Sequence, residues 1–195
     1  MNKKVVSLKK LMNGLVKNGE RGLTGRSCGI RIRKAIEKML KEEKGVCRVV
    51  LDFSGVGPID FSWADEVVAT LVSRLWGGEY GEKYILLKGL TPSQSENIGV
   101  ALERKRLAVL ISGPEGWRVI GILNNYLART LDQVMKRKGL TLRQYSQEEK
   151  IGMNTSGTRL LNLFKKRLVV RMEGPSSKKD ELHRGRQFLY RSLLL

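Results

Sequence analysis

The stretch that decides the fold is residues 48–75, RVVLDFSGVGPIDFSWADEVVATLVSRL. Residues 49–53 are apolar except for one aspartate, a pattern typical of a strand that is buried on both faces of a sheet. Two glycines and a proline follow and favour a turn. From Trp63 onward the apolar residues recur every three or four positions, which predicts an amphipathic helix with Ser62 as its N-cap and Asp65 at its third position. The stretch therefore predicts a strand, a short loop and a helix.

The middle of this stretch, DFSGVGPIDFS at residues 52–62, carries a recognisable motif. It resembles the sulfate-transporter and anti-sigma-factor-antagonist (STAS) family, in which a strand of the type LDLSGV is followed by a linker and then Asp-Ser-Ser-Gly at the start of a helix. Asp60 falls on the family's aspartate, and Ser62 on the serine that a partner kinase phosphorylates in many members. Phenylalanine and tryptophan replace the family's other serine and its glycine. The WADE run at residues 63–66 is closer to an uncharacterised STAS-like branch with a Phe-Ala-Asp-Glu run.

The resemblance implies an α/β domain with a switch at the start of the helix. Its partner would be a serine kinase or an anti-sigma-type ATPase, and phosphorylation would change docking through charge. The candidate switch residues are Asp60, Ser62, Asp65 and Glu66. From the residues alone Ser62 has two interpretations, because Ser-x-x-Asp before an apolar helix is also a capping-box variant. A helix N-terminus also favours a phosphate through its unpaired N–H groups and dipole, and both interpretations can hold together.

Composition limits the class of protein. The chain has 195 residues, 41% of them apolar, which is enough for one large or two small folded domains. Its formal charge of +18 points toward a polyanion such as nucleic acid, although ribosome-associated and membrane-surface proteins share such an excess and charge alone does not separate them. No apolar run approaches 18 residues, and the opening MNKKVVSLKKLMNG lacks the apolar stretch of a signal peptide. We therefore expect an intracellular, cytoplasmic protein with no membrane partner.

The sequence lacks the usual motifs of catalysis. Phosphate-binding, dinucleotide-binding, zinc-protease and nucleophile-elbow patterns do not occur in it. Cys28 and Cys47 are far apart and indicate reduced thiols, and the single histidine, His183, has no second metal ligand nearby in sequence. The acids from Asp52 to Glu66 can in principle hold a divalent ion or act as an acid/base pair, but each also has a local explanation. The sequence therefore predicts no enzyme, no metal and no cofactor.

Strands and helices alternate in the first half of the chain. The basic, weakly apolar segment from Lys4 to Leu15 predicts one or two strands. Periodicity then predicts the following elements: a helix at 29–43, strands at 84–87 and 107–111, and a helix at 91–102. The breaker cluster SGPEG at residues 112–116 predicts a domain boundary. We therefore expect a STAS-like α/β sheet-and-helix domain at residues 1–113 and a second domain at residues 114–195.

The second half predicts a DNA-binding fold. Its periodicity predicts a helix at 123–138, a second helix with Thr141 and Gln144 as a capping box, a glycine turn at 151–153 and a third helix at 154–167. This order resembles a helix-turn-helix, whose last helix enters the major groove. Two strand-like segments, 168–172 and 186–192, flank a basic segment. Over roughly residues 120–195 the pattern looks like a C-terminal winged-helix (α+β) domain.

The third helix sets four apolar residues toward a core and polar residues on the opposite stripe. The predicted core residues are Leu160, Leu161, Phe164 and Leu168. The predicted DNA-binding residues are Asn154, Thr155, Arg159, Asn162 and Lys166 on the helix, and Lys178, Lys179, Arg184 and Arg186 in the wing. A winged helix used for protein contacts, or a solvated basic face, would give a similar pattern.

Together these patterns predict a prokaryotic transcription regulator that combines a STAS-like docking domain with a winged helix for double-stranded DNA. Since winged helices often dimerise on two-fold sites, a homodimer is a further expectation. The competing hypothesis is an anti-sigma-antagonist-like protein-interaction module of a partner-switching pathway that does not bind DNA. The salt dependence of any DNA binding separates the two.

Overall fold

The structure is a computed structural model that describes residues 1–15, 25–174 and 187–194. It has a mixed α/β fold with a mostly parallel five-stranded sheet and several helices. Two compact units divide the chain, unit 1 at Met1–Leu123 and unit 2 at Asn124–Leu195. Among the described residues, no helix combines the length and the apolar character that crossing a bilayer requires.

The sheet of unit 1 contains five strands among the described residues. They are β1 (Asn2–Ser7), β2 (Cys47–Asp52), β3 (Lys83–Lys88), β4 (Ala108–Gly113) and β5 (Gly116–Gly121). The order is β1-β2-β3-β4-β5, in which the first four strands are parallel and β5 is antiparallel to β4. In β2 both alternating sets of residues are buried, as Val49 and Val50 show. The predicted buried strand is therefore confirmed.

The helices of unit 1 pack on one face of this sheet. They are α1 (Leu8–Leu15), α2 (Arg26–Glu42), α3 (Phe61–Ala64), α4 (Thr70–Trp76) and α5 (Pro92–Arg104). A π-helical turn, Asp65–Ala69, joins α3 to α4 without a break. Successive parallel strands follow one another in a single direction across the sheet, so right-handed crossovers place their helices on the same side. Fully buried Trp63 contacts Phe53, the residue that follows β2, edge-on, with ring centroids 6.1 Å apart.

The end of the first unit differs from the sequence prediction. The SGPEG cluster at residues 112–116 is the turn of a β-hairpin, because Ser112 pairs with Trp117 and Gly113 with Gly116. The units divide ten residues later than predicted, after Leu123. Glycine and proline serve a tight hairpin as well as they serve a linker, and the cluster therefore did not distinguish the two. The opening segment also differs, since one strand is followed by helix α1.

Unit 2 contains three helices and a small antiparallel sheet within its described residues. The elements are α6 (Asn125–Lys136), β6 (Gly139–Thr141), α7 (Leu142–Glu149), α8 (Met153–Lys165), β7 (Val169–Glu173) and β8 (Phe188–Ser192). The sheet order is β6-β8-β7. The capping box of Thr141 and Gln144 is confirmed, whereas the short strand β6 was not predicted. The wing candidates Lys178, Lys179, Arg184 and Arg186, and also His183, lie outside the described residues.

Candidate functional site

Asp60 organises the loop that leads into helix α3. Its backbone is extended, with φ −93° and ψ 171°, as an N-cap requires. One carboxylate oxygen accepts a hydrogen bond from the Trp63 amide at 2.7 Å, and the other accepts one from the Gly25 amide, also at 2.7 Å. Asp60 therefore caps the helix and ties the loop to the start of α2.

Ser62 is the second residue of α3 and not its N-cap, so the capping prediction was wrong. Asp60 is the N-cap, and the Asp65 amide, which a capping Ser62 would bind, donates instead to the backbone carbonyls of Phe61 and Ser62. The predicted partner of the box, Asp65, is bonded to Lys105 instead, at 2.7 Å. Ser62 is half-buried, and its hydroxyl makes no hydrogen bond to any residue that the structure describes. The Ser62 hydroxyl therefore has no hydrogen-bonding role among the described residues, and it lies at the N-terminal end of helix α3.

Asp65 and Glu66 are held in ion pairs between α2, α5 and the π-helical turn. Asp65 pairs with Lys105, and it lies 3.9 Å from Arg26. Glu66, whose side chain is 10% exposed, accepts from Arg26 at 2.8 Å and from Arg33 at 3.3 Å. A buried carboxylate needs such partners, because an unpaired buried charge is strongly destabilising. Both acids therefore face the helices of unit 1 with their charges compensated.

The network continues to Glu37 on α2. Arg33 donates to Glu37 at 2.6 Å and Arg74 of α4 donates to it at 2.8 Å. Burial opposes ionisation of Glu37, but the hydrogen bond from Arg33 and the charges of both arginines outweigh it and lower the pKa of the carboxyl. The carboxylate is therefore ionised at neutral pH and joins α2 to α4.

Asp52 occupies a separate position at the end of strand β2. Its carboxylate accepts from the Ser54 amide at 3.0 Å and pairs with Lys88 at 3.0 Å. Burial raises the pKa of this carboxyl, but the hydrogen bonds from Ser54 and Lys88 lower it further than burial raises it. The partners of Asp52 therefore differ from those of Asp60, Asp65 and Glu66, and the described residues contain no group of three or more His, Cys, Asp or Glu placed to hold a metal ion.

Two carboxamides of helix α5 fix the loop before Asp60. Gln94 donates from Nε2 to the carbonyls of Val56 and Gly57, at 3.0 and 2.8 Å, and Asn97 donates to the carbonyl of Ile59 at 3.1 Å. These bonds satisfy backbone carbonyls that have turned away from the sheet. The loop that leads from β2 to Ser62 is therefore held at two further places, by the Gly25 amide at the start of α2 and by the carboxamides of α5.

The exposed surface of α8 coincides only in part with the predicted one, since Asn154 and Thr155 are exposed as predicted and the other three predicted residues are not. Its most exposed residues are Met153, Asn154, Thr155, Thr158 and Lys165. The predicted contact residues Arg159, Asn162 and Lys166 are half-buried. The buried side of the helix consists of Ser156, Leu160 and Leu163, whereas Leu161 and Phe164, which the sequence assigned to the core, are only half-buried.

Tyr126 of helix α6 accounts for the partial burial of Arg159. The guanidinium of Arg159 lies over the Tyr126 ring, 5.5 Å from its centroid. Burial lowers the pKa of Lys166 below its ordinary value, although the charge of Tyr126 opposes this effect. Stacking on an aromatic ring restricts an arginine side chain while leaving donors of its guanidinium free to bond. Arg159 is therefore held in a defined position beside the exposed face of α8.

Comparison with protein-family models, curated proteins and solved structures finds no match for this chain. The STAS-like and winged-helix resemblances therefore stay predictions.

Sequence reasoning missed several residues at the α8 surface. Thr158 and Lys165 follow Asn154 at helical spacing, so a more careful count along the helix would have included them. Arg171 was missed for another reason. It lies between two aromatic rings, 4.5 Å from the centroid of Phe164 and 4.4 Å from that of Phe188, and no sequence pattern indicates that contact.

Proposed function

We propose that this chain is a DNA-binding transcription regulator. In this proposal unit 2 is a winged helix that binds double-stranded DNA with α8 in the major groove, and unit 1 is a STAS-like domain that docks a protein partner. The observation that carries the proposal is the exposed, acid-free face of α8 in a unit whose order is helix, strand, helix, helix, strand, strand.

The geometry of the α7–α8 pair supports this assignment. Helix α7 ends at Glu149, its C-cap Lys150 has a left-handed φ of 52° that turns the chain, and α8 begins at Met153. The first turns of α8 expose Asn154, Thr155 and Thr158, whose side chains can exchange hydrogen bonds with base edges. The N-terminal part of a recognition helix is the part that meets the bases.

The charge distribution supports contact with phosphates. Residues 150–171 contain six basic side chains and no acidic one. Two acids on the other helices of unit 2 are already paired, Asp132 with Lys136 at 2.7 Å and Glu148 with Arg137 at 2.9 Å. The segment that contains α8 therefore carries a net positive formal charge, as binding to a phosphate backbone requires.

The docking half of the proposal rests on the environment of Ser62. A phosphate on this hydroxyl would lie at a helix N-terminus, where the helix dipole is favourable. Asp65 and Glu66 repel it less than their formal charge implies, because Lys105, Arg26 and Arg33 compensate them. A serine kinase or an anti-sigma-type ATPase is the partner that the motif suggests.

The test is titration of the full chain against a pool of genomic DNA fragments at two salt concentrations. We expect enrichment of particular fragments and an affinity that falls steeply with salt. Arg159→Ala should reduce the preference for enriched fragments over random DNA. Lys165→Ala should weaken both alike and reduce the slope of log K against log salt by about 1.

Lys136→Ala is the matched control, since it removes a helical positive charge of unit 2 that is already paired with Asp132. It should leave affinity and salt slope nearly unchanged. If Lys136→Ala weakens binding as much as Lys165→Ala does, attraction to net charge explains the binding and the recognition-helix assignment fails. Absence of DNA binding at low salt would overturn the proposal.

A further inference from the structure

Arg171 of strand β7 has aromatic rings beside its charge and no acceptor for its hydrogen bonds. The carbon of its guanidinium lies 4.5 Å from the centroid of the Phe164 ring and 4.4 Å from that of Phe188. Such contacts attract the cation, but a ring offers no oxygen to the five N–H donors of an arginine. Arg171 makes no hydrogen bond or ion pair with any residue that the structure describes. Within the described residues its donors therefore remain available to a ligand.

The pairing of β7 with β8 explains why the guanidinium is held in this place. Glu173 pairs with Phe188 and Arg171 pairs with Tyr190, so the side chains of Arg171 and Phe188 leave the same face of the sheet one step apart. Phe164, in the last turn of α8, contacts Arg171 from the helix. The guanidinium is therefore fixed where β7 meets the C-terminal end of α8.

This position lies at the border of the exposed face of α8. Phe164 follows Arg159 by five residues, which places the two about 140° apart around the helix axis. Within that interval lie the buried residues of the helix, Ser156, Leu160 and Leu163. The remaining arc carries the most exposed residues, Met153, Asn154, Thr155, Thr158 and Lys165. The stacked guanidiniums of Arg159 and Arg171 therefore border the exposed face on opposite sides.

The charge and chemistry of this border fit a phosphate. A second guanidinium, that of Arg167, lies 5.6 Å from the centroid of the same Phe164 ring, and residues 150–171 contain no acid. A guanidinium can bind two oxygens of one phosphate through two parallel N–H bonds. When a recognition helix lies in the major groove, its exposed face meets the bases, and groups beside that face come near the sugar–phosphate backbones.

We infer that Arg171 binds a backbone phosphate of double-stranded DNA, and that Phe164 and Phe188 position its guanidinium for this contact. The inference rests on the DNA-binding function proposed above. It adds a contact that contributes affinity without sequence preference, because a phosphate is the same beside every base.

The test compares Arg171→Gln with Arg191→Gln in the full chain, against a duplex of an enriched sequence and a scrambled duplex at several salt concentrations. Arg191 pairs with Val170, so its side chain leaves the opposite face of the same sheet, which makes it a matched control. Arg171→Gln should weaken binding to both duplexes about tenfold, because a hydrogen bond between charged groups is lost. It should also reduce the slope of log K against log salt by about 1. Arg191→Gln should leave affinity and slope nearly unchanged.

Arg171→Lys separates the phosphate contact from a structural role of the side chain. Lysine keeps the charge but lacks the planar fork, so the salt slope should be unchanged while the affinity for both duplexes falls severalfold. Circular dichroism checks the folding of each variant, and if Arg171→Gln does not fold, Arg171→Lys decides the test.

The outcomes distinguish this inference from the proposed function. If wild type binds DNA and Arg171→Gln behaves as Arg191→Gln does, the inference fails and the proposed function stands. A loss confined to the enriched duplex, or unchanged affinity in Arg171→Lys, would also overturn the phosphate contact. Absence of DNA binding by wild type at low salt would overturn both.

Discussion

Replacing Gly29 with alanine tests how closely α2 packs on the segment that carries Ser62. A Cβ at Gly29 would lie 2.9 Å from the Cβ of Glu66 and 3.3 Å from the Cα of Trp63. Carbon atoms in ordinary contact are about 3.5–4.0 Å apart, so the two elements must separate by several tenths of an ångström. Because Glu66 also pairs with Arg26 and Arg33, that movement disturbs two ion pairs.

Two opposing free-energy terms set the change in the free energy of unfolding that Gly29→Ala causes. Alanine is favoured over glycine inside a helix by about 1 kcal/mol. Overpacking a well-packed core costs about 1–3 kcal/mol. Gly99 in α5 provides the matched control, since a Cβ there meets only Ile120, at 3.6–3.7 Å. The helix-propensity term is common to both sites, so the free energy of unfolding of Gly29→Ala should be lower than that of Gly99→Ala by about 1–3 kcal/mol.

Denaturant unfolding followed by tryptophan fluorescence measures this difference in unit 1, the unit that contains both glycines. The three tryptophans of the chain, Trp63, Trp76 and Trp117, all lie in unit 1. We expect Gly99→Ala to unfold at a higher denaturant concentration than wild type and Gly29→Ala at a lower one than Gly99→Ala. Equal free energies of unfolding for the two variants would refute the close approach of α2 to Glu66 and Trp63.

Three further predictions concern the same region. Asp60→Ala should lower the free energy of unfolding by about 1–3 kcal/mol, because two amide hydrogen bonds to a carboxylate are lost. Ser62→Ala should change it by less than about 0.5 kcal/mol. If denaturant unfolding shows Ser62→Ala to be the more destabilising of the two, Ser62 is the cap after all. The lowered pKa of Glu37 means that its ionised form stabilises the fold above its ordinary pKa of 4.5 and that this stability is lost as the pH falls below that value. Glu37→Gln should therefore flatten the acid side of the stability–pH curve, and an unchanged slope would show that pairing with Arg33 and Arg74 contributes nothing. Incubation with an extract that contains a cognate kinase should add one phosphate to wild type and none to Ser62→Ala by intact mass, and no added phosphate on wild type would remove the switch.

The alternation of strands and helices in unit 1 was predictable because its signals are local. Apolar runs and a change of period identify β2 and the following helix without knowledge of any distant residue. The cap was not predictable in this way. Asp60 and Ser62 are both good capping residues two positions apart, and the Gly25 amide, 35 positions away in sequence, adds a second bond to Asp60.

The α8 surface shows the same limit in unit 2. Helical periodicity identified the helix and Leu160 of its buried side, but not Ser156 or Leu163, and not which polar stripe is the most exposed. That depends on Tyr126, which belongs to another helix and packs against Arg159. The hairpin at residues 112–116 also depends on tertiary structure, since a breaker cluster indicates a change of direction but not that the chain returns to the same sheet.

The π-helical turn at Asp65–Ala69 has a consequence for aligning other chains with this one. In this turn the amide of Thr70 donates to the carbonyl of Asp65, five residues earlier, so the turn holds one residue more than an α-helical turn. A relative with an uninterrupted α-helix here would align only with a one-residue gap between Ser62 and Thr70. Without that gap, every position on one side of the turn would be compared with a neighbour that points about 100° away around the helix axis. A motif search that fixes the spacing from the serine to the apolar residues of α4 would therefore overlook such relatives.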